Sequence, residues 1–240
     1  MYKRAKRSVI FEDLGLRDYK ETWDYQEDLF DELLEVKLKN RELPGAEQQQ
    51  QENKLLFVEH PHVFTLGRSG SDNNLLADHI QLQAKEASFY RIDRGGDITY
   101  HGPGQIVGYP ILDLEEFGLT LKAYIHKLED VIISSLDEYG IKADRLDGAT
   151  GVWLDGDTKG KARKICAIGV RASRHITMHG FAFNINTDLG YFDLINPCGF
   201  TDKGVTSVSK EKGESIDFQQ AKDIVKKNFK KVFGIDWKNK

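Results

Sequence analysis

The order of helix-like and strand-like segments restricts the fold of this sequence more than any other feature. Three segments repeat apolar residues at helical spacing, and six short runs rich in Val, Ile, Phe and Tyr lie between them without alternating with them one by one. The runs are KLLFVEH, VFTLG, QIVGYPILDL, GVWL, KICAIGV and HGFAFNIN. This order predicts an α+β fold and is not that of a repeating βαβ array.

Each helix-like segment carries its own end signals. The first spans about 18–38, is ended by a Pro-Gly pair, and should cover one face of a sheet. The second runs from Thr120, as N-cap, to Gly140, and the third spans about 217–234, with Asp and Gln at capping-box spacing. The polar, low-complexity stretch 45–54 is expected to be a surface loop.

Length and charge exclude several classes of protein. A chain of 240 residues that is 40% hydrophobic can bury one full core, so a single domain is expected. Its formal net charge of −4 gives no general attraction to nucleic acid or to an anionic membrane. No apolar run reaches the roughly 18 residues of a membrane span, and MYKRAKRSVIFEDLG lacks the apolar core of a signal peptide. Two cysteines without Cys-x-x-Cys spacing fit a reducing cytoplasm.

The densest group of polar and glycine residues lies in RIDRGGDITYHGPGQ, residues 91–105, called here the glycine segment. Such a segment is expected to be a loop that exposes backbone N–H groups and lets a ligand approach closely. It lacks the Gly-x-x-x-x-Gly-Lys-Ser/Thr pattern, so a nucleotide is not required. The alternative is a tight turn between two strands in which the polar residues are incidental.

Two further groups of residues leave alternatives open. Lys164 precedes an apolar run that looks buried, where it would lose part of its preference for the charged form, but it also fits a solvated lysine at a strand end. His60 and His62 could ligate a metal, yet no third ligand stands at a recognised spacing, and a polar cluster at a strand end is the simpler interpretation. No metal is expected.

The stretch FDLINPCGF presents one of the two cysteines in a turn. Cys198 lies between Pro197, which fixes φ, and Gly199, which allows conformations that other residues avoid. This context favours a thiol that is presented to solvent or substrate over one that is packed in a core.

Five motifs in a fixed order resemble one known family. EHPHVFTLGRSG, RIDRGGDITYHGPGQIVGYPILDL, RKICAIGVRASRHITMHGFAFNIN, DLGYFDLINPCGF and DKGVTSVSKE are similar to motifs of the lipoyl(octanoyl) transferases, and the resemblance extends to about Glu211. These enzymes move an octanoyl group from acyl carrier protein to a lysine of lipoyl domains, the first step of protein lipoylation from endogenous fatty acid synthesis.

The resemblance implies a fold and partners. The fold is a single α/β domain over residues 1–240, with a mixed sheet flanked by helices, as in biotin and lipoate protein ligases, and a tunnel for the acyl chain. The donor is octanoyl-acyl carrier protein, and the acceptors are lipoyl domains of 2-oxo acid dehydrogenase acyltransferase subunits and the glycine cleavage H protein. No cofactor is implied. An ATP-dependent ligase of the same fold would need a lysine in the first glycine loop, and a non-catalytic binding module would tolerate loss of Cys198 and Lys164.

The resemblance also implies site residues. Cys198 is the nucleophile that forms an acyl-thioester, and Lys164 assists it, either as a base or by stabilising the thiolate. His179 gives possible polar support, and His101 orients the thioester or the cysteine. The expected substrate contacts are Arg94, Gly95, Gly96, Asp97, Ile98, Thr99, Tyr100, His101, Ala167, Ile168, Gly169, Gly180, Phe181 and Ala182.

Cys166 departs from the family pattern, which commonly has a small residue at this position. Strand alternation predicts that Lys164, Cys166 and Ile168 share one face of a strand. Cys166 is nevertheless expected to be packed against the sheet, where a buried thiol has a raised pKa and stays inert.

Overall fold

The computed structural model describes residues 7–196 and 203–238, which form twelve strands and six α-helices. In chain order they are β1 (Arg7–Leu16), α1 (Tyr19–Glu42), β2 (Asn53–Glu59), β3 (Val63–Leu66), α2 (His79–Ala84), β4 (Ser88–Arg91), β5 (Ile98–His101), β6 (Gln105–Ile111), α3 (Leu114–Phe117), α4 (Leu121–Asp137), β7 (Asp144–Leu146), β8 (Ala149–Leu154), β9 (Arg163–Ser173), β10 (Ile176–Asn184), β11 (Gly204–Val205), α5 (Val208–Lys212), α6 (Phe218–Phe233) and β12 (Ile235–Lys238). Short 3-10 turns occupy Gly45–Glu47, Asp72–Asn74 and Leu189–Leu194.

Within the described residues, nine strands form one mixed sheet in the order β12-β1-β2-β6-β10-β9-β8-β7, with β11 added beside β9. Pairs β1–β12, β1–β2 and β9–β11 are parallel, and the other neighbours are antiparallel. The remaining strands form a small sheet in the order β4-β3-β5. A mixed sheet fits the predicted α+β order, because helices and strands do not alternate regularly along the chain.

Helices cover both faces of the large sheet. On one face, α4 and α6 bury Val131 and Phe229 against Phe57 and Ile106 in the largest apolar cluster. On the other face, α1 packs against β6 and β10, as the sequence predicted for the first helix. The two faces are therefore closed to water over most of their area, which is the main source of stability in a layered fold.

The three predicted helices are confirmed, because their end signals act as expected. The Asp217 side chain accepts from the backbone N–H of Gln220 at the start of α6, and Gly234 ends it in the left-handed conformation. Thr120 caps α4 in the same way. Helix α1 begins after Asp18 and continues to Glu42, past the predicted end, and its last turns bury Lys37 and Asn40.

Two loop predictions need correction. The glycine segment is not one loop, because Ile98–His101 forms β5 and pairs with β3. Ile98 and Tyr100 are buried in the core of the small sheet, so two apolar side chains override the glycines around them. The stretch 45–54 is a loop only to its eighth residue, because Asn53 starts β2 and is buried.

A β-bulge also corrects the predicted face of β9. The register of β8 and β9 shifts so that Val152 pairs with Cys166 while Trp153 pairs with Lys164. Between these two pairs β8 advances by one residue and β9 by two. The extra residue in β9 breaks the alternation of its side chains. Cys166 packs in the large apolar cluster, and Lys164 lies over the Trp153 ring instead, so the two do not share a face.

Two glycines should differ in their response to alanine. A Cβ on Gly180 would lie 2.1 Å from the Gly108 carbonyl oxygen, whereas Gly140 has open space but a φ of +70°. We expect Gly180→Ala to lower the free energy of unfolding by about 3 kcal/mol, because β10 and β6 must separate. Gly140→Ala should cost about 1 kcal/mol of backbone strain. Urea denaturation measures both, and equal losses would contradict the close approach of the two strands.

Candidate active site

A cavity of about 310 Å³ lies between the two sheets, on the side of the large sheet that α1 covers. Among the residues that line it, Gly96, Gly148, Thr150 and Gly204 are exposed, whereas Tyr19 and Tyr109 are buried. Most of the residues that the resemblance implied line this one cavity. They are Arg94, Gly96, Asp97, Ile98, Thr99, His101, Lys164, Ala167, Ile168, Gly169, His179, Gly180, Phe181 and Ala182.

Two of the implied contact residues do not line the cavity. The N–H of Gly95 donates to the Val170 carbonyl at 2.9 Å, and this hydrogen bond connects the glycine segment to β9. This N–H is therefore not exposed to a ligand, contrary to what was expected for the segment. Tyr100 is fully buried in the small sheet, where its hydroxyl lies 2.7 Å from Nδ1 of His62. Both residues support the cavity from behind and do not form its wall.

Several lining residues were missed by sequence reasoning. Val107 and Tyr109 lie two residues apart on β6 and share a face, so alternation within QIVGYPILDL could have found them. Tyr19 begins α1 and no local signal points from it to the site. Other lining residues are Gln105, Gly148, Ala149, Thr150, Trp153, Asn184, Phe192, Lys203, Gly204 and Val205.

Arg94 fixes the glycine segment to the small sheet. Its Nη2 donates to the Thr65 carbonyl at 2.6 Å and to Thr65 Oγ1 at 3.0 Å, and its Nη1 donates to the Gly95 carbonyl at 3.2 Å. Only 8% of the residue is exposed. A buried guanidinium held by carbonyl dipoles therefore places a fixed positive charge at the cavity wall.

His179 stands in a strained position on β10. Its φ of +58° lies in the left-handed region, which a non-glycine residue in a strand seldom adopts, and its backbone N–H donates to Gln26 Oε1 on α1 at 2.9 Å. Its Nε2 lies 3.0 Å from Asp93 Oδ1. The hydrogen bond from His179 is the main reason why the pKa of Asp93 is lowered, and burial lowers the pKa of His179, so a neutral ring donates to a carboxylate.

His101 and His60 are also neutral. The Nδ1 of His101 donates to Gln105 Oε1 at 3.0 Å, and burial holds the pKa of this histidine well below its usual value. His60 donates from Nδ1 to the Arg17 carbonyl at 2.8 Å and accepts from the Tyr109 hydroxyl at Nε2. Both of its ring nitrogens are therefore engaged inside the protein.

The remaining candidates divide between the cavity and the core. The Lys164 ammonium lies 4.6 Å from the centre of the Trp153 ring at the cavity wall. Cys166 is fully buried, and burial raises its thiol pKa, as predicted. Cys198 lies outside the described residues. No group of three or more His, Cys, Asp or Glu side chains suited to a metal occurs in residues 7–196 and 203–238.

The comparisons with known proteins identify the family. Residues 18–230 match the family model described as lipoyl protein ligase A/B catalytic domain. The chain is 54% identical over 237 residues to an octanoyltransferase of Christiangramia forsetii, covering 97% of this chain and 98% of the relative. The chain belongs to the octanoyltransferase family. It is an acyltransferase, and an octanoyltransferase of Flavobacterium johnsoniae is similarly close, at 55% identity over 232 residues, or 95% and 97% of the two chains.

Solved structures confirm the fold class of this octanoyltransferase family member as a single mixed α/β domain. A bipartite lipoate protein ligase from Thermoplasma acidophilum superposes with a TM-score of 0.70 at 14% identity, over 98% of this chain and 87% of that one. A lipoate-protein ligase A bound with ATP gives 0.67 at 14% identity, over 97% and 88%. A biotin protein ligase from Aquifex aeolicus gives 0.50 at 13% identity, over 95% and 70%. At these identities the likeness shows the fold alone.

Within residues 7–196 and 203–238, no helix combines the length and the apolarity that a membrane span requires.

Acid should destabilise the folded protein over a pH range that depends on its buried histidines. Burial lowers the pKa of His60 to about 4, so between pH 6.5 and 4 the unfolded chain binds a proton that the folded chain does not. The free energy of unfolding should therefore fall as pH falls, by about 1.4 kcal/mol per pH unit for this histidine. We expect His60→Gln to reduce this slope, measured by denaturant titration at each pH.

The exposed His79 is the matched control for this measurement. His79→Gln should leave the slope between pH 6 and 4 as it is in the unchanged protein. The same reduction in both variants would show that burial of His60 does not cause the pH dependence.

Proposed function

We propose that the protein transfers an octanoyl group from octanoyl-acyl carrier protein to a lysine of a lipoyl domain through a thioester on Cys198. The observation that carries this proposal is the cavity, which brings Lys164 and an apolar wall together. Val107, Phe181 and Ala182 supply apolar surface along it. Burying each methylene of an acyl chain there contributes about 0.8 kcal/mol, so a slot of limited depth favours a chain of limited length.

The chemistry needs two displacements at one carbonyl carbon. The Cys198 thiolate attacks the donor thioester, its sulfur forms a bond to the carbonyl carbon, and the pantetheine thiolate leaves and takes up a proton. The acceptor amine then attacks the new thioester, an amide forms, the amine loses a proton, and Cys198 is released as thiolate. One thioester replaces another in the first step, and the amide is more stable than the thioester, so no ATP is required.

The roles of individual residues follow from this scheme. Lys164 assists Cys198, either by accepting a proton or by stabilising the thiolate. The substrate contacts lie in residues 94–101, 167–169 and 180–182. Within the first range, Gly95 and Tyr100 support the cavity wall from behind. Lys164 neighbours Gly151 and Trp153, next to the exposed Thr150. In this proposal the thioester lies there and the alkyl chain runs towards the buried Tyr109.

We further propose one catalytic domain over residues 1–240. Its acceptors are lipoyl domains of 2-oxo acid dehydrogenase acyltransferase subunits and the glycine cleavage H protein. Two cysteines without disulfide spacing support a reducing cytoplasmic location.

An ATP-dependent ligase is the rival with the same fold, since a neighbouring lipoate-protein ligase A structure is described as bound with ATP. Three observations favour the transferase. The glycine segment contains no lysine, and the N–H of Gly95 is occupied by the Val170 carbonyl and does not point to a phosphate. The curated relatives at 50% identity or more are named octanoyltransferases.

Transfer without nucleotide tests the proposed class. We expect the full chain, mixed with octanoyl-acyl carrier protein and apo lipoyl domain, to add one octanoyl mass to the acceptor without ATP or Mg²⁺. A chelator should have no effect, because the proposed chemistry uses only side chains. Intact-mass spectrometry of the acceptor measures the product.

Two outcomes would contradict this assignment. Acylation that requires free octanoate together with ATP would make the protein a ligase. No acylation under either condition, with the lipoyl domain still bound, would make it a non-catalytic module.

A further inference from the structure

We propose that Trp153 is a positioning residue that holds the Lys164 ammonium at the cavity wall and favours its charged form. The proposal rests on the proposed function, because it assigns to Lys164 one of the two roles left open there. A cationic Lys164 would act by stabilising the thiolate rather than by removing its proton.

The geometry of the pair carries the first step. Trp153 on β8 is the cross-strand partner of Lys164 on β9, and the lysine Nζ lies 4.6 Å from the centre of the indole ring. The ring is itself fixed, because its Nε1 donates to the Ala149 carbonyl at 2.9 Å and only 3% of the residue is exposed. A cation over an aromatic face at this distance is attracted by the ring quadrupole, most strongly where water is excluded.

The β-bulge between β8 and β9 determines the direction in which the Lys164 side chain points. Gly151 lies on β8, directly before the point where the bulge of β9 faces it. Its φ is +121°, and a Cβ on it would lie 2.6 Å from the Cys166 carbonyl oxygen. Its N–H donates to Glu129 Oε1 on α4 at 3.2 Å, and Arg145 donates to the same carboxylate at 2.8 Å. Helix α4 thus fixes β8 at the point where β9 turns Lys164 towards the indole.

Charged and titratable groups from several elements lie near the pair. From α4, Glu129 is engaged by Gly151 and Arg145. From α5, Glu211 pairs with Arg163 at 2.7 Å. Strand β10 contributes the neutral His179. Arg94, Asp97 and Lys203 also line the cavity. On β8 the indole lies 4.6 Å from the Lys164 ammonium, and it favours the ammonium over the neutral amine because only the cation is attracted to the ring face.

The contact can be read directly by NMR after reductive ¹³C-methylation of the lysines in the substrate-free protein. The dimethyl-Lys164 signal is assigned by its loss in Lys164→Arg. We expect this signal to be displaced upfield by the indole ring current and to titrate at higher pH than in Trp153→Leu. Trp153→Phe, which keeps a smaller aromatic face, should give an intermediate displacement and titration.

The pH–rate profile of octanoyl transfer separates positioning from simple lining of the cavity. Trp153→Leu should lower kcat about tenfold at pH 7 and move the rising limb of the profile to higher pH, because the thiolate loses cationic support. Trp153→Phe should recover part of both effects. Phe181→Leu, which changes the cavity wall away from Lys164, should change KM and leave the limb in place.

The two readouts fail independently. A Lys164 signal with the same position and titration in the unchanged protein and in Trp153→Leu would overturn the positioning role, whatever the activity. An unmoved pH limb in a transfer-competent Trp153→Leu would also overturn it. Absence of transfer by the unchanged protein would overturn the proposed function alone, because the NMR signal needs no substrate. If Trp153→Leu does not fold, Trp153→Phe decides by the same criteria.

Discussion

The structure depends on a backbone-to-backbone contact between the glycine segment and β9. The N–H of Gly95 donates to the Val170 carbonyl. A Cβ on Gly169 would lie only 2.7 Å from the Gly95 carbonyl oxygen. Gly67, directly after β3, makes the same kind of approach, because a Cβ on it would lie 2.4 Å from the Gly96 carbonyl oxygen. These backbone contacts hold the glycine segment against β9 and against the end of β3, with the Arg94 side chain beside them. The cavity lies beside this junction, because Gly96 and Gly169 line it.

The polar groups around the cavity follow from the same constraint. A backbone held this close leaves little room for water, so the histidines near it are neutral and bonded inside the protein. Asp93 remains charged because Arg171 lies 2.8 Å away and His179 donates to it. Its carboxylate links the glycine segment to β9 and β10, next to the strained backbone of His179. Strain at a cavity wall that is fixed from several elements is a common feature of binding sites.

Sequence reasoning was most successful where local chemistry decides the structure. The starts of three helices, at Asp18, Thr120 and Asp217, were predicted almost to the residue, since each N-cap acts on its own first turn. The predictions were wrong where pairing with a strand distant in sequence determines the local structure. Strand β5 forms because β3 pairs with it, and β9 loses its alternation because β8 imposes a bulge. No pattern inside either segment contains that information.

The site shows the same division. Resemblance to a family placed residues from three distant segments in one site, and the structure gathers most of them around one cavity. It did not reveal that Gly95 and Tyr100 lie behind the wall, nor that Tyr19 of α1 belongs to it. Those facts depend on how α1 and the small sheet pack on the large sheet. Packing of this kind is a property of the whole fold, not of a motif.

The central claim is that Cys198, not the buried Cys166, carries the octanoyl group. The direct measurement is peptide mapping by mass spectrometry after the protein is mixed with octanoyl-acyl carrier protein, with no acceptor present, and quenched in acid. The account predicts one octanoyl group on the Cys198 peptide, none on the Cys166 peptide, the same result in Cys166→Ala, and no thioester in Cys198→Ser. An octanoyl group on the Cys166 peptide, or full transfer by Cys198→Ser, would contradict it.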